Sequence, residues 1–391
     1  MSYNVKNLGD VEVYDLNNNG QLTGVNYQTN SAFLYSGGQP GPLPVHATTG
    51  WSASPHSHGA LWVPELKQSQ GNAVNESGDV AGTATIIDNI PANANLPGQT
   101  PSQIWGFTPK LRAFLIYQGK FVDLHTKLTE IGYFWSTAMD VTNRHLEGSL
   151  SVVGVGDQGP WLIQLTEYRA THLTPAGFSL QASSLCQAPY NLPTLNPSPD
   201  SSASFSNPNY YISIRINNFA QMAISSNIGW YLLDGKAQPP LFIPEFVAFT
   251  GLYAPVVESF NDSRDILLFS FSRESTLKLS LTDGGGIWTQ SAIRSFGSQA
   301  LNLEAPVSTN DYKRLMNNHG DVLLDNENAP NGDVSVFLNN GGSPVDLTQY
   351  LGSNNPNSGP VYGQGINDQG LICCSTGETS LLLTPQTGAG W

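Results

Sequence analysis

Short apolar or alternating runs, each closed by Asn, Gly, Ser or Pro, recur from one end of the chain to the other. Such runs predict short β-strands joined by tight turns. The clearest unit is Ile366–Leu383, INDQGLICCSTGETSLLL. A strand ends at Ile366-Asn367 and a turn closes at Gly370. A second strand covers Leu371–Cys374, and a third covers Ser380–Leu383.

The anchor of this unit is an apolar residue, Asn, two polar residues and Gly, followed by a β-run. It recurs as Leu16-Asn17-Asn18-Asn19-Gly20, Val74-Asn75-Glu76-Ser77-Gly78 and, weakly, Val141-Thr142-Asn143. It returns as Ile216-Asn217-Asn218-Phe219-Ala220, Phe260-Asn261-Asp262-Ser263-Arg264 and Met316-Asn317-Asn318-His319-Gly320. With Ile366–Gly370 that makes seven. Gly supplies the positive φ such a turn needs, and Asn bonds its own backbone two residues on. Where Ala220 and Arg264 replace Gly, a looser or strained turn is expected.

A third strand is expected after each anchor: Ala32–Tyr35, Ala113–Tyr117, Trp161–Gln164, Trp230–Leu233, Leu277–Leu281, Val334–Leu338 and Ser380–Leu383. A fourth follows, as in Phe121–Leu124 and Pro344–Leu347. One four-stranded sheet buries too little alone, but seven arranged radially cover one another's faces. The expected fold is all-β: a seven-bladed β-propeller forming a single domain over residues 1–391. The last unit runs out after its third strand. Residues 1–10 hold an unassigned strand, Val5-Lys6-Asn7-Leu8, expected to close the last blade beside Ser380–Leu383 and remove an exposed edge.

Composition narrows the function. Charged residues are only 12%, with a net charge of −14 from 16 Lys+Arg against 30 Asp+Glu. So thin a basic complement disfavours nucleic acid and an anionic membrane surface. Three cysteines (Cys186, Cys373 and Cys374) make no disulfide framework or C-x-x-C site. Adjacent strand residues point to opposite faces, so Cys373 and Cys374 are read as two reduced thiols. No basic–apolar–small leader and no run of about 20 apolar residues occurs. The expectation is a soluble monomer, cytoplasmic as the chain stands, or secreted if a signal peptide has been removed.

The segments INDQG (366–370), VNESGDVAGTA (74–84), SAFLYSGG (31–38), RAFLIYQGKFVDL (112–124) and HGALW (58–62) together resemble the HAF family of extracellular repeats. That resemblance implies a repeat fold and usually secretion, but no settled activity or catalytic residues. The first unit, Asp15-x-Asn17-x-Asn19-Gly20, is also similar to an integrin-type repeat. Its alternating oxygens suit a single Ca²⁺ at Asp15, Asn17 and Asn19, although the other six copies lack the Asp and a plain hairpin turn is the main reading. No other cofactor is implied.

Loop lengths direct attention to one rim. The first-to-second and third-to-fourth strand turns are short, whereas long insertions fall near 44–71, 87–110 and 174–209, with further long segments at His125–Ser136 and Thr348–Pro360. Long loops in compact domains usually bind or cover something. The ligand is therefore expected at the long-loop mouth of the central channel. Aromatic residues there suit a sugar ring or another neutral small molecule: Trp51, Trp105, Tyr133 and Trp135 are candidates. His56 and His58 join them as ligand-binding or catalytic candidates, with Glu130 the freest carboxylate for acid–base chemistry. Asp123 matches Asp346 in the repeat and reads as structural. His145 and His319 fall on the opposite, short-turn side. Binding of a small molecule or carbohydrate is the first reading. The alternatives are a cofactor-independent lyase, hydrolase or cyclase in the same pocket, and a protein-interaction scaffold.

Overall fold

The computed structural model describes residues 2–38, 40–45, 61–62, 69–87, 109–145, 149–168, 177–195, 211–226, 229–234, 240–243, 256–270, 275–283, 288–296, 303–304, 315–326, 335–339, 345–351, 361–376 and 379–386. These form seven antiparallel sheets, six with four strands and one with five. Numbered by chain order, sheet one spans 11–42, sheet two 61–123, sheet three 136–184, sheet four 211–243, sheet five 256–296 and sheet six 303–346. Sheet seven joins 362–385 to the N-terminal strand. The arrangement is propeller-like, and its seam lies where the repeat pattern puts it. Strand Tyr3–Gly9 pairs antiparallel with Ser380–Pro385, aligning Val5 with Leu383 and Asn7 with Leu381.

The third strands cover the segments expected for them, several running longer, as in Pro109–Tyr117 and Gly159–Tyr168. Two differences concern supposed loops. Gly177–Ser184, inside the 174–209 insertion, is the outer strand of sheet three, paired with Trp161–Tyr168. The segment after Asp123 opens with a short helix, Leu124–Thr129. Its Leu124 and Leu128 are fully buried beside Leu115 and Tyr133. Asp123 caps it by accepting from the Thr126 amide (3.2 Å), and Asp346 accepts from Thr348 (2.9 Å) in the same way. The repeated Asp is thus a turn-capping device.

The Asn anchors hold the sheets together. In each, the Asn side-chain oxygen accepts from the amide four residues on, and in four of the six also from the amide two residues on, as Asn17 Oδ1 does with Asn19 (3.0 Å) and Gln21 (2.9 Å). The Nδ2 group then reaches the next sheet. Asn17 donates to the Asn75 carbonyl (2.7 Å) and Asn75 to Thr142 (3.1 Å). Asn217 donates to Asn261 (3.3 Å), Asn261 to Asn317 (2.9 Å), Asn317 to Asn367 (3.1 Å), and Asn367 back to Asn17 (2.9 Å). Thr142 has no amide to offer sheet four, so this circuit lacks one link.

The next residue of each turn makes a second circuit, which is complete. The amides of Asn18, Glu76, Asn143, Asn218, Asp262, Asn318 and Asp368 each donate to the side chain of the following member, the last returning to Asn18, at 2.6–3.1 Å. A chain of hydrogen bonds that returns to its start requires the sheets to stand in a ring. The turns themselves are alike. Gly20, Gly78, Gly320 and Gly370 have φ between 72° and 79°, and Ala220 and Arg264 take the same left-handed conformation at 59° and 64°. Their closing bonds, 3.0 and 3.1 Å, are as short as those of the Gly turns. The turn is therefore strained at these two places, not looser.

The buried residues group between neighbouring sheets. Cys373 packs with Val13, Leu16 and Phe33 of sheet one, while Cys374 packs with Met316 and Val322 of sheet six. Both are reduced thiols on opposite faces, as their adjacency in a strand requires.

Candidate functional site

The segments that run into the Asn anchors line a central channel, whose polar walls come from the residues just before the anchors. It forms a cavity partly open to solvent. One end is bounded by the second hydrogen-bond circuit. Deeper in lie Asp15, Asn72, Asp140, Arg215, Glu258 and Ser259. Two of these residues, Asn72 and Glu258, sit at a recurring irregularity. In five first strands the pairing skips the third residue before the anchor: Tyr14, Asn72, Met139, Glu258 and Gln364. In sheet four the skip falls earlier, at Ile212. Such bulges re-aim side chains and are common beside binding sites.

Most of the wall is internally satisfied. Asp15 accepts from the amides of Leu16 and Val74, both at 2.8 Å, and Asp140 from Val141 (2.8 Å) and Ile216 (3.0 Å). Each carboxylate clamps its own strand to the next sheet. Three groups stand apart. Asn72 Oδ1 and Ser259 Oγ are buried without a hydrogen-bond partner. Arg215 is buried, with Nε donating to the Glu258 carbonyl (2.9 Å) and Nη1 to Ile214 (3.2 Å). Sequence reasoning missed all three. Asn72 and Ser259 precede anchors that were recognised, and a polar residue at a core-facing strand position was the signal that could have found them.

The residues expected at the long-loop mouth are not brought together by the described part of the structure. Trp51, His56, His58 and Trp105 lie outside the described residues. Tyr133 is fully buried in the core, where its hydroxyl donates to the Pro160 carbonyl (3.1 Å); it packs between strands and presents no face to a ligand. Burial drives its phenol well above the usual tyrosine range. Trp135 is half-buried against the core group that includes Met139, Val155 and Leu185. Between them Phe134 is 67% exposed. Glu130 is exposed and paired with Lys127 at 2.8 Å. His145 and His319 are exposed, as expected.

At Asp15, Asn17 and Asn19, where a plain hairpin turn was the main reading and a single Ca²⁺ the lesser one, the Asp15 carboxylate and the Asn17 oxygen are already occupied by backbone amides. No group of three or more His, Cys, Asp or Glu side chains suited to a metal occurs among the described residues.

No known family matches this sequence, and no curated protein matches it. Solved structures do. A chain of a mitotic checkpoint complex is 8% identical over 99% of this chain and 94% of its own, with a TM-score of 0.42. A gluconolactonase from Xanthomonas campestris is 10% identical over 98% and 89%, at 0.39. YCF48 from Cyanidioschyzon merolae is 9% identical over 73% and 79%, at 0.36. At these identities and TM-scores, nothing about a ligand or an activity passes to this chain. No helix among the described residues is long and apolar enough to cross a membrane.

Proposed function

We propose that the chain is a seven-bladed β-propeller that binds one polar small molecule, with carbohydrates among the candidates, in its central channel. The observation that carries this reading is the pair of buried, partnerless polar atoms on the channel wall, Asn72 Oδ1 and Ser259 Oγ. A buried polar atom without a partner costs about 1–3 kcal/mol. A ligand that satisfies it recovers that energy, and two such atoms, on sheets two and five, give a ligand both a place and an orientation. The repeat motif, with its HAF-like unit, builds the platform. The site is single because these side chains are not repeated from blade to blade.

The long-loop mouth, with Trp51, His56, His58 and Trp105, is proposed as the entrance that shapes access to the channel. A lyase, hydrolase or cyclase would need a base aimed into the channel. No observation favours that over binding: Glu130 is tied to Lys127, and Asp15 and Asp140 are held by amides.

The test is a thermal-shift screen of neutral and acidic sugars and small metabolites on the full chain. A compound that raises the melting temperature should lose most of its effect in Ser259→Ala. Loss in Trp105→Ala or His56→Ala with Ser259→Ala unaffected would move the site to the rim and refute the channel reading.

A further inference from the structure

The channel wall carries one buried guanidinium that makes no direct ion pair, Arg215. Arg215 is 7% exposed. Its guanidinium is held by two backbone carbonyls, which orient it but bring no negative charge. Among the described residues no carboxylate lies within ion-pair distance of it. Burying a cation in this way is costly unless an anion completes the site. The residue after Glu258, whose carbonyl receives Arg215 Nε, is Ser259, with its unpartnered hydroxyl. A positive fork and a free O–H donor thus meet at the same level of one wall.

Resting on the channel reading above, we infer that the ligand is a small hydroxylated monocarboxylate, such as an acidic sugar, with its carboxylate on Arg215 and Ser259. Guanidinium and carboxylate match in shape and charge, and a second oxygen can accept the serine hydroxyl. Asp15, Asp140 and Glu258 line the same channel. They make it hostile to a phosphate or other dianion, so the ligand carries a single charge. Asn72 Oδ1, an acceptor on sheet two, calls for a donor on the ligand, and a hydroxyl group supplies it.

Calorimetric titration and thermal shift of the full chain with sodium glucuronate, sodium glycolate and glucose, at ionic strength matched with sodium chloride, test this. Glucuronate or glycolate should bind and raise the melting temperature, with glucose roughly tenfold weaker or worse, the value of one charge-assisted hydrogen bond. Arg215→Gln should weaken carboxylate binding by roughly tenfold or more and leave glucose unchanged; Ser259→Ala should weaken it several-fold. Should Arg215→Gln fail to fold, Ser259→Ala decides, since its hydroxyl has no structural partner to lose. Equal affinity for glucose and glucuronate, or carboxylate binding unchanged in either variant, overturns the carboxylate inference while the channel reading stands. No binding by any of the three overturns the inference, and no hit in the wider screen would then remove the channel reading as well.

Discussion

Asn367→Ala tests whether the anchor circuit holds the ring closed. Asn367 is 2% exposed. Its Oδ1 accepts from Gln369 (3.0 Å) and Leu371 (2.9 Å), and its Nδ2 donates to the Asn17 carbonyl (2.9 Å) across the seam. Truncation removes three hydrogen bonds, each worth about 1 kcal/mol net. The Gln369 amide lies in an exposed turn and regains water. The Asn17 carbonyl is buried between sheets and does not, adding about 1 kcal/mol for its desolvation. The expected loss is therefore about 3–4 kcal/mol by urea denaturation. Asn367→Asp separates the two roles. It keeps both acceptors but turns a carboxylate oxygen toward the Asn17 carbonyl, so it should be no more stable than the Ala variant. Gln369→Ala, on the exposed side of the same turn, should stay within about 0.5 kcal/mol of the parent. Asn17→Ala should match Asn367→Ala, because both anchors accept from the amides two and four residues on and donate to the next sheet. An Asn367→Asp protein as stable as the parent would refute the reasoning: the amide would then serve only its own turn.

Other measurements probe separate parts of the structure. Ala220→Gly and Arg264→Gly should each stabilise by about 0.5–1 kcal/mol, because relief of a left-handed L-residue outweighs the extra freedom of the unfolded chain; a loss of stability in either would contradict the strain. Deleting residues 1–9 removes the outer strand of sheet seven, so the truncated protein should show a lower melting temperature and gain a tendency to associate through the bared edge, seen by light scattering. Burial pushes the Cys186 thiol up to about 11. The unfolded thiol loses its proton first, near pH 8.5, so this group's contribution to stability is fully present below about pH 8.5 and declines as pH climbs toward 11. Melting temperatures across that window should fall, less steeply in Cys186→Ser, and native Cys186 should alkylate on the order of a hundredfold more slowly at pH 8 than the urea-unfolded thiol.

The backbone plan was legible because it rests on local chemistry. Asn-x-x-Gly turns and short apolar runs declare themselves within a few residues, and the unassigned strand near Val5 could be matched to a blade lacking one. The outer strand Gly177–Ser184 was not legible. Its burial is mostly intermediate or exposed, so it carries no apolar pattern and reads as a loop until its partner is in place. Tyr133 misled for the opposite reason: beside the exposed Phe134 it belongs to an aromatic cluster in sequence, and only the tertiary fold turns it inward. The channel residues were hidden because Asn72, Arg215 and Ser259 come from three different sheets. Their proximity to one cavity is a property of ring closure, and no local spacing encodes it.

The departures from the repeat therefore hold more functional information than the repeat does. Sheet three gives up the anchor amide at Thr142, and a different device joins it to sheet two. Arg144 reaches back to the buried Asp79 with two bonds (2.7 and 2.5 Å), while its guanidinium lies over the Tyr117 ring at 4.6 Å. Asp79 is also held by Asn75 Nδ2 (3.0 Å) and the Gln118 amide (3.0 Å). Where the first circuit loses its link between sheets three and four, the contacts shared with other sheets remain, Asp140 to Ile216 and Asn143 to Asn218. Sheet four then carries the buried Arg215 and the displaced bulge, and sheet five the orphaned Ser259. A chain selected only to close a ring would repeat its best anchor in every sheet. Where local consistency is broken, as in sheets three to five, the break points to a demand other than stability. The partnerless groups of the channel wall fall in that sector and in the neighbouring sheet two.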